Sequence, residues 1–302
     1  MLVAGSNAAF AQAKPPRVAL VMKSLANEFF LTMETGAKAH QKQNMARYQL
    51  LTNGIKGEND TAGQIKLVEQ MIVAQVDAIV IAPADSRALV AVVKRALDAG
   101  IVVINIDNKF DPAALGDKGI TVPFVGPQDM KGAEQVGLEL ARSMKPGDKV
   151  GIIEGLPTAH NSRLRSAGFQ SAMRTARAKV VSIQNGEWEI AKANRVAAAM
   201  LSEHPDLRAL LCANDSMAIG AVAAIKSAGR TGKVLVGGFD NISAVAPMLK
   251  DGRVTATADQ HAGQLAVFGI EAALKQLASG KAAAGAQGSS VETPVQLIVA
   301  TK

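Results

Sequence analysis

The stretch DAIVIAPADSRALVAVVKRALDAGIVVINIDN, residues 77–108, decides the fold. It holds two short apolar runs, 78–82 and 102–106, rich in Ile and Val, on either side of a segment with a different period. In that segment Leu89, Val92, Val93, Ala96 and Leu97 recur at i, i+3, i+4 spacing, with Ser86 as candidate cap and Gly100 as stop. Near-continuous apolar runs of this length suit parallel strands covered on both faces, so the stretch reads as strand, helix, strand.

The alternation extends in both directions, with further runs at 18–22, 48–52, 121–125, 149–154, 180–183, 209–213 and 234–239. The helix before 78–82 starts at Asp60 or Thr61 and buries a stripe of Ile65, Val68, Met71 and Ile72. Repeated strand and helix imply right-handed crossovers and an α/β fold built on an open, doubly wound parallel sheet. This many units exceed one comfortable core, and the series restarts at Lys149 after KPGD (145–148), so two such sheets are expected, dividing near Gly126-Pro127. An extended stretch at 255–260 followed by a helical one at 261–279 suggests a return to the first sheet. The extended stretch at 295–299 suggests another crossing.

A 302-residue chain that is 48% hydrophobic is long enough for two packed domains, and with 3% aromatics its core must be made of Ala, Val, Ile, Leu and Met. Its 33 Lys and Arg outnumber 26 Asp and Glu. They are scattered in ones and twos, without the basic blocks and interleaved aromatics that grip nucleic acid. Cys212 stands alone in an apolar run and reads as a buried, inert thiol. Residues 2–13 are small and apolar and end in AFAQA before KPP, which reads as the end of a cleaved secretory signal peptide. Beyond it, no segment reaches the about 20 uninterrupted apolar residues of a membrane helix.

In open α/β sheets ligands bind at the carboxyl ends of the strands, so the residues directly after each run carry the function. These are Lys23, Asp107 and Asn108, Asn214 and Asp215, and Asp240 and Asn241. One such residue usually caps a helix or makes a turn. A ring of carboxylates and amides, each able to engage neighbouring hydroxyls twice, suits a polyhydroxylated ligand, with Phe29, Phe30 and Trp188 against its C–H faces. The first strand runs into KSLAN rather than a glycine-rich turn, which argues against a dinucleotide or a P-loop phosphate. The histidines at 40, 160, 204 and 261 lack metal spacing, and no Gly-x-Ser-x-Gly elbow occurs. No cofactor, metal or catalytic residue is expected.

The segments VALVMKSLANEFF (18–30), DAIVIAPADS (77–86), GIVVINIDN (100–108), NSRLRSAGF (161–169), ANDSMAIGA (213–221) and VGGFDN (236–241) together resemble the periplasmic sugar-binding proteins of ABC importers, in the cluster of ribose-binding protein. The resemblance runs from about Arg17 to the C-terminus. It implies two Rossmann-like lobes joined by a three-crossing hinge, closing on a monosaccharide. On that pattern 1–16 is a signal-peptide remnant and tail, 17–126 with 261–294 the N-terminal lobe, and 127–260 with 295–302 the C-terminal lobe. It further implies a ligand set of Lys23, Asn27, Phe29, Phe30, Asp107 and Asn108 from the first lobe, Arg163, Trp188, Asn214 and Asp240 from the second, and Gln260 at the hinge. A periplasmic monomer, an inner-membrane permease and a chemoreceptor as partners belong to the same pattern. Ribose binders carry a small hydroxyl residue where Lys23 stands, Asn where Ala82 stands and Arg where Asn108 stands. These departures favour a pentitol, hexitol or ketohexose over ribose.

Two other classes share the fold. The sensing core of a lac-repressor-type regulator would need a helix-turn-helix ahead of Arg17, where the sixteen residues present do not suggest one. A sugar-processing enzyme could use Asp107 or Asp240 as a base, but no nucleophile, metal or phosphate site accompanies them.

Overall fold

The computed structural model describes residues 14–280 and 290–299. The expected signal peptide lies outside the described residues. In chain order the first elements are β1 (Arg17–Ser24), α1 (Glu28–Gln43), β2 (Gln49–Ile55), α2 (Thr61–Val73), β3 (Ala78–Ile81), α3 (Val90–Asp98), β4 (Val102–Ile106), α4 (Pro112–Asp117), β5 (Phe124–Pro127) and α5 (Asp129–Ala141). The series restarts with β6 (Lys149–Glu154), α6 (His160–Thr175), β7 (Lys179–Asn185), α7 (Ile190–Glu203), β8 (Leu207–Cys212), α8 (Asp215–Ser227) and β9 (Leu235–Gly237). A 3-10 turn at Ser243–Val245 leads into α9 (Ala246–Lys250), followed by β10 (Ala256–Asp259), α10 (Ala262–Ala278), β11 (Val291–Thr293) and β12 (Gln296–Val299).

These elements form two α/β lobes. The N-terminal lobe is built on a six-stranded sheet in the order β11-β5-β4-β3-β1-β2, and the C-terminal lobe on one in the order β12-β10-β9-β8-β6-β7. Alternate residues of β1 show why its sequence is apolar throughout. Val18, Leu20 and Met22 belong to one apolar cluster with Phe29, Phe30 and Met33 of α1 and Leu265 of α10, while Ala19 and Val21 belong to another with Val68 of α2 and Val92, Val93 and Ala96 of α3. Both faces of the pleat are thus covered. Pairing within each sheet is parallel except at β12, which runs antiparallel to β10. The two parallel-sheet lobes expected from the sequence are present, with this one antiparallel strand at the edge of the second sheet.

The chain passes between the sheets after β5, between β10 and α10, and between β11 and β12. His261, at the second passage, has φ 56°. Asp60 caps α2, its carboxylate accepting from Gly63 N–H at 2.9 Å. The expected cap of α3 is different: α3 begins at Val90 after Leu89, with no side-chain cap, and the Ser86 hydroxyl is turned toward the other lobe instead. In each sheet the strand order reverses at the first strand, β1 lying between β3 and β2 and β6 between β8 and β7. The carboxyl ends of the strands at these two switch points face one cleft, which is where an open α/β sheet leaves room for a ligand.

Candidate functional site

The cleft narrows to a small polar cavity lined from both lobes by Lys23, Asn27, Phe29, Phe30, Glu58, Asp107, Asn161, Arg165, Trp188, Asn214, Asp240 and Gln260. Lys23 and Trp188 are only 3% exposed and Asp107 and Arg165 only 2%, so a ligand enters or leaves by separation of the lobes.

On the N-terminal side Lys23, next to last in β1, has its ammonium 3.7 Å from Asp107 Oδ2 and 4.0 Å from Glu58 Oε2. The same ammonium lies 5.5 Å from the Phe30 ring centre and 5.2 Å from that of Trp188. Asn27 caps α1 through Phe29 N–H and donates its amide to Glu58 Oε1 at 2.9 Å. Phe29 and Phe30 meet edge to face with centres 5.0 Å apart. Burial pushes the Glu58 carboxyl above its ordinary range, although Lys23 and Asn27 pull the other way.

On the C-terminal side Arg165 organises the wall. Its Nε donates to Asp129 at 2.7 Å, and its Nη1 donates to the Ala213 carbonyl at 3.0 Å and to Asp240 at 3.4 Å. Its guanidinium carbon lies 3.8 Å from the centre of Phe239 and 5.7 Å from that of Trp188. Gln260, at the second passage between lobes, donates to Asp240 at 2.7 Å. Burial raises Asp129 to about 6 and Asp240 to about 7 against the opposing pull of Arg165. Asn214 caps α8 through Met217 N–H and donates to the Trp188 carbonyl. Trp188 fits because Gly155 lacks a side chain: a Cβ there would lie 2.0 Å from the indole Cζ2.

Asp107, Trp188 and Asp240 have φ of 59°, 68° and 116°, in the half of backbone space that residues other than glycine avoid. Such conformations cost roughly 1–3 kcal/mol each and gather where a site needs side chains aimed against local preference.

Six buried side-chain atoms around this cavity make no hydrogen bond within the protein: Glu58 Oε2, Asp107 Oδ2, Asn161 Oδ1, Arg165 Nη2, Trp188 Nε1 and Gln260 Oε1. Two are donors and four are acceptors. A hydroxyl both donates and accepts, so a small polyol can satisfy the whole set.

Of the residues read from the sequence, Lys23, Asn27, Phe29, Phe30, Asp107, Trp188, Asn214, Asp240 and Gln260 are brought together here. Arg163 is not. It is exposed, bonded to the Pro157 carbonyl at 2.9 Å, and Arg165 occupies the cleft in its place. The reason is helical phase: Asn161, Arg165, Phe169 and Ala172 are buried on α6, and at about 100° per residue Arg163 points roughly 200° away from Arg165. Asn108 is buried but outside the cavity, donating to the Pro83 carbonyl and accepting from the backbone of Asn161 in the other lobe. Asp215 is internal, accepting from Thr257 and the Ile242 amide, and Asn241 donates to Asp259.

Glu58, Asn161 and Arg165 were missed. The strand-end rule would have found Glu58 had β2, read as 48–52, been carried to Ile55. Helical phase would have chosen Arg165. Asn161 lies seven residues beyond β6 in the chain and shares the buried face of α6 with Arg165, so the same helical phase marks it. Among the described residues no group of His, Cys, Asp and Glu is placed to hold a metal ion, and no helix is long and apolar enough to cross a membrane.

Residues 18–282 match the family model described as a periplasmic binding protein domain. The D-ribose/D-allose-binding protein of Pseudomonas aeruginosa is 64% identical over 94% of this chain and 89% of its own length. An ABC transporter solute-binding protein from Burkholderia multivorans, with an unknown ligand represented as α-D-erythrofuranose, superimposes with a TM-score of 0.93 at 62% identity over 95% of this chain and 100% of its own. A periplasmic solute-binding protein from Actinobacillus succinogenes with bound D-allose superimposes with a TM-score of 0.86 at 33% identity, over 94% and 97% of the two chains. With two α/β lobes, a buried polar cleft between them and a family match along nearly its whole described length, the chain belongs to the periplasmic binding proteins of ABC transporters.

Proposed function

We propose that the protein captures a neutral monosaccharide between its lobes in the periplasm and presents the closed complex to an inner-membrane permease. The family binds solutes and does not transform them, and the chain is not an enzyme. The observation that carries the ligand class is the set of six buried polar atoms around one cavity that make no hydrogen bond within the protein. Charge supports neutrality. Lys23 faces Asp107 and Glu58, and Arg165 faces Asp129 and Asp240, so neither cation is free to clamp a phosphate or a carboxylate.

Within that class an aldopyranose such as D-allose or D-ribose comes ahead of the pentitol, hexitol or ketohexose favoured by sequence. The support is the 64% identical relative, a D-ribose/D-allose-binding protein, and the D-allose-bound neighbour. The permease is the partner this reading requires. Neither a chemoreceptor nor any second copy of the chain is needed for it.

A thermal-shift screen of D-allose, D-ribose, alditols, ketohexoses and sugar phosphates tests the assignment. A raised melting temperature with D-allose or D-ribose is the expected result. Stabilisation by a phosphorylated sugar alone would overturn the neutral-ligand reading, and stabilisation by alditols alone would overturn the choice of an aldopyranose.

A further inference from the structure

Helix α6 begins without a cap of its own lobe. Its N-cap position is Ala159, which offers no side-chain acceptor. The first two helical amides are met from the other lobe: His160 N–H donates to Ser86 Oγ at 3.0 Å and Asn161 N–H donates to Asn108 Oδ1 at 3.2 Å. Ser86 N–H returns a bond to the Thr158 carbonyl at 3.2 Å. Elsewhere along the cleft the Glu28 carboxylate accepts from Ser243 N–H at 2.7 Å and Ala244 N–H at 3.3 Å. None of Ser86, Asn108 and Glu28 lines the cavity.

The acceptors are also bonded within their own lobe. Asn108 Nδ2 donates to the Pro83 carbonyl at 2.8 Å, the Asn108 carbonyl accepts from Asn105 at 2.8 Å, and the Ser86 hydroxyl donates to Asn108 Oδ1 at 3.3 Å. All of these partners belong to the N-terminal lobe. When the lobes part, the His160 and Asn161 amides exchange these acceptors for water. Supplying or removing an N-cap changes an equilibrium constant by roughly 2- to 30-fold.

We infer that Ser86 and Asn108 are positioning residues that cap α6 across the cleft and thereby set the balance between open and closed forms. Asn161 couples this latch to the ligand. Its amide is capped by Asn108, and its own side-chain oxygen faces the cavity unpaired. Because apparent affinity scales with the population of the competent form, weakening the latch weakens every ligand by the same factor. The inference rests on the sugar-binding reading for its ligands and not for its geometry.

The test compares Ser86→Ala with the parent chain, using D-allose and D-ribose, with affinity from calorimetry and dissociation rate from stopped flow. The expected result is about a tenfold rise in Kd, equal to about 1.4 kcal/mol, carried by faster dissociation. The factor is the same for both sugars, and the melting temperature of the ligand-free chain is unchanged. Amide exchange at 160 and 161 in the sugar-bound variant is faster than in the parent. Glu28→Ala, at a half-buried position, is the second variant and gives the same equal weakening of both sugars. A Kd within about twofold of the parent in both variants, or a changed ratio between the two sugars, overturns the inference. If the parent chain binds neither sugar, the ligand assignment fails on its own. The latch is then judged with the sugars that stabilise the parent chain in the thermal-shift screen, where an equal weakening of each by Ser86→Ala is expected and an unchanged or unequal Kd overturns it.

Discussion

Replacing Arg165 with Met separates the two effects of that side chain. The guanidinium serves Asp129, Asp240 and the Ala213 carbonyl, and its Nη2 is unpaired at the cavity. A hydrogen bond from a charged donor contributes about 1.5–3 kcal/mol, so losing the Nη2 contact weakens sugar binding roughly 10- to 150-fold. Stability falls as well, since removing one partner of a buried ion pair costs about 3–5 kcal/mol. That loss depends on pH. Asp240 and Asp129 stand at about 7 and about 6 even with Arg165 present, and higher without it. The folded variant therefore holds protons that the unfolded chain releases near about pH 4, so its stability declines as pH climbs through the raised values. The melting deficit against the parent is larger at about pH 8 than at about pH 5. Calorimetric titration with D-allose and scanning at the two pH values measure both effects, with Arg163→Ala as the control, expected within about 0.5 kcal/mol of the parent in both. The reasoning is refuted if Arg163→Ala loses the sugar while Arg165→Met keeps it, or if the melting deficit grows toward acid.

Asp240→Asn removes a carboxyl that burial holds at about 7, so the ligand-free variant should lose less stability than the parent as pH rises from about 5 to about 8; thermal melts at the two ends check this. Gly155→Ala places a methyl 2.0 Å from the Trp188 indole and should weaken sugar binding by about tenfold or more, read by titration. Cys212 is fully buried and its thiol is pushed above its ordinary range by burial, with Asp215 adding to the shift, so a thiol-specific reagent should label it only when the chain unfolds.

Apolar runs made the strands legible because a strand covered on both faces has no polar option, as the fully buried 18–22 segment shows. Strand ends then located Lys23, Asp107, Asn214 and Asp240, since the topology alone sends that end of each strand to the cleft. The rest depends on facts that no local pattern carries. Choosing between Arg163 and Arg165 needed the rotational phase of α6, which was fixed only once the helix was known to start at His160. Asn108 occupies a strand-end position like the others, yet it bonds to the opposing backbone, and that follows from how the lobes meet. Ser86 has the residue type of a helix cap and serves as one, for a helix 74 positions away. Asp129 reads as an ordinary first-turn acid of α5, and only the tertiary fold brings Arg165 to it.

Trp188 is the chain's single tryptophan, and Tyr48 its single tyrosine. The indole forms part of the cavity wall, 5.2 Å from the Lys23 ammonium of the opposite lobe, whereas Tyr48 is buried in the N-terminal lobe against His40. Ultraviolet emission excited at the red edge of protein absorbance therefore arises from one position, and that position changes its surroundings whenever the jaws part. The molecule carries a built-in optical gauge of its own occupancy. Spectral shift and accessibility to a soluble quencher can be followed in real time without attaching any dye.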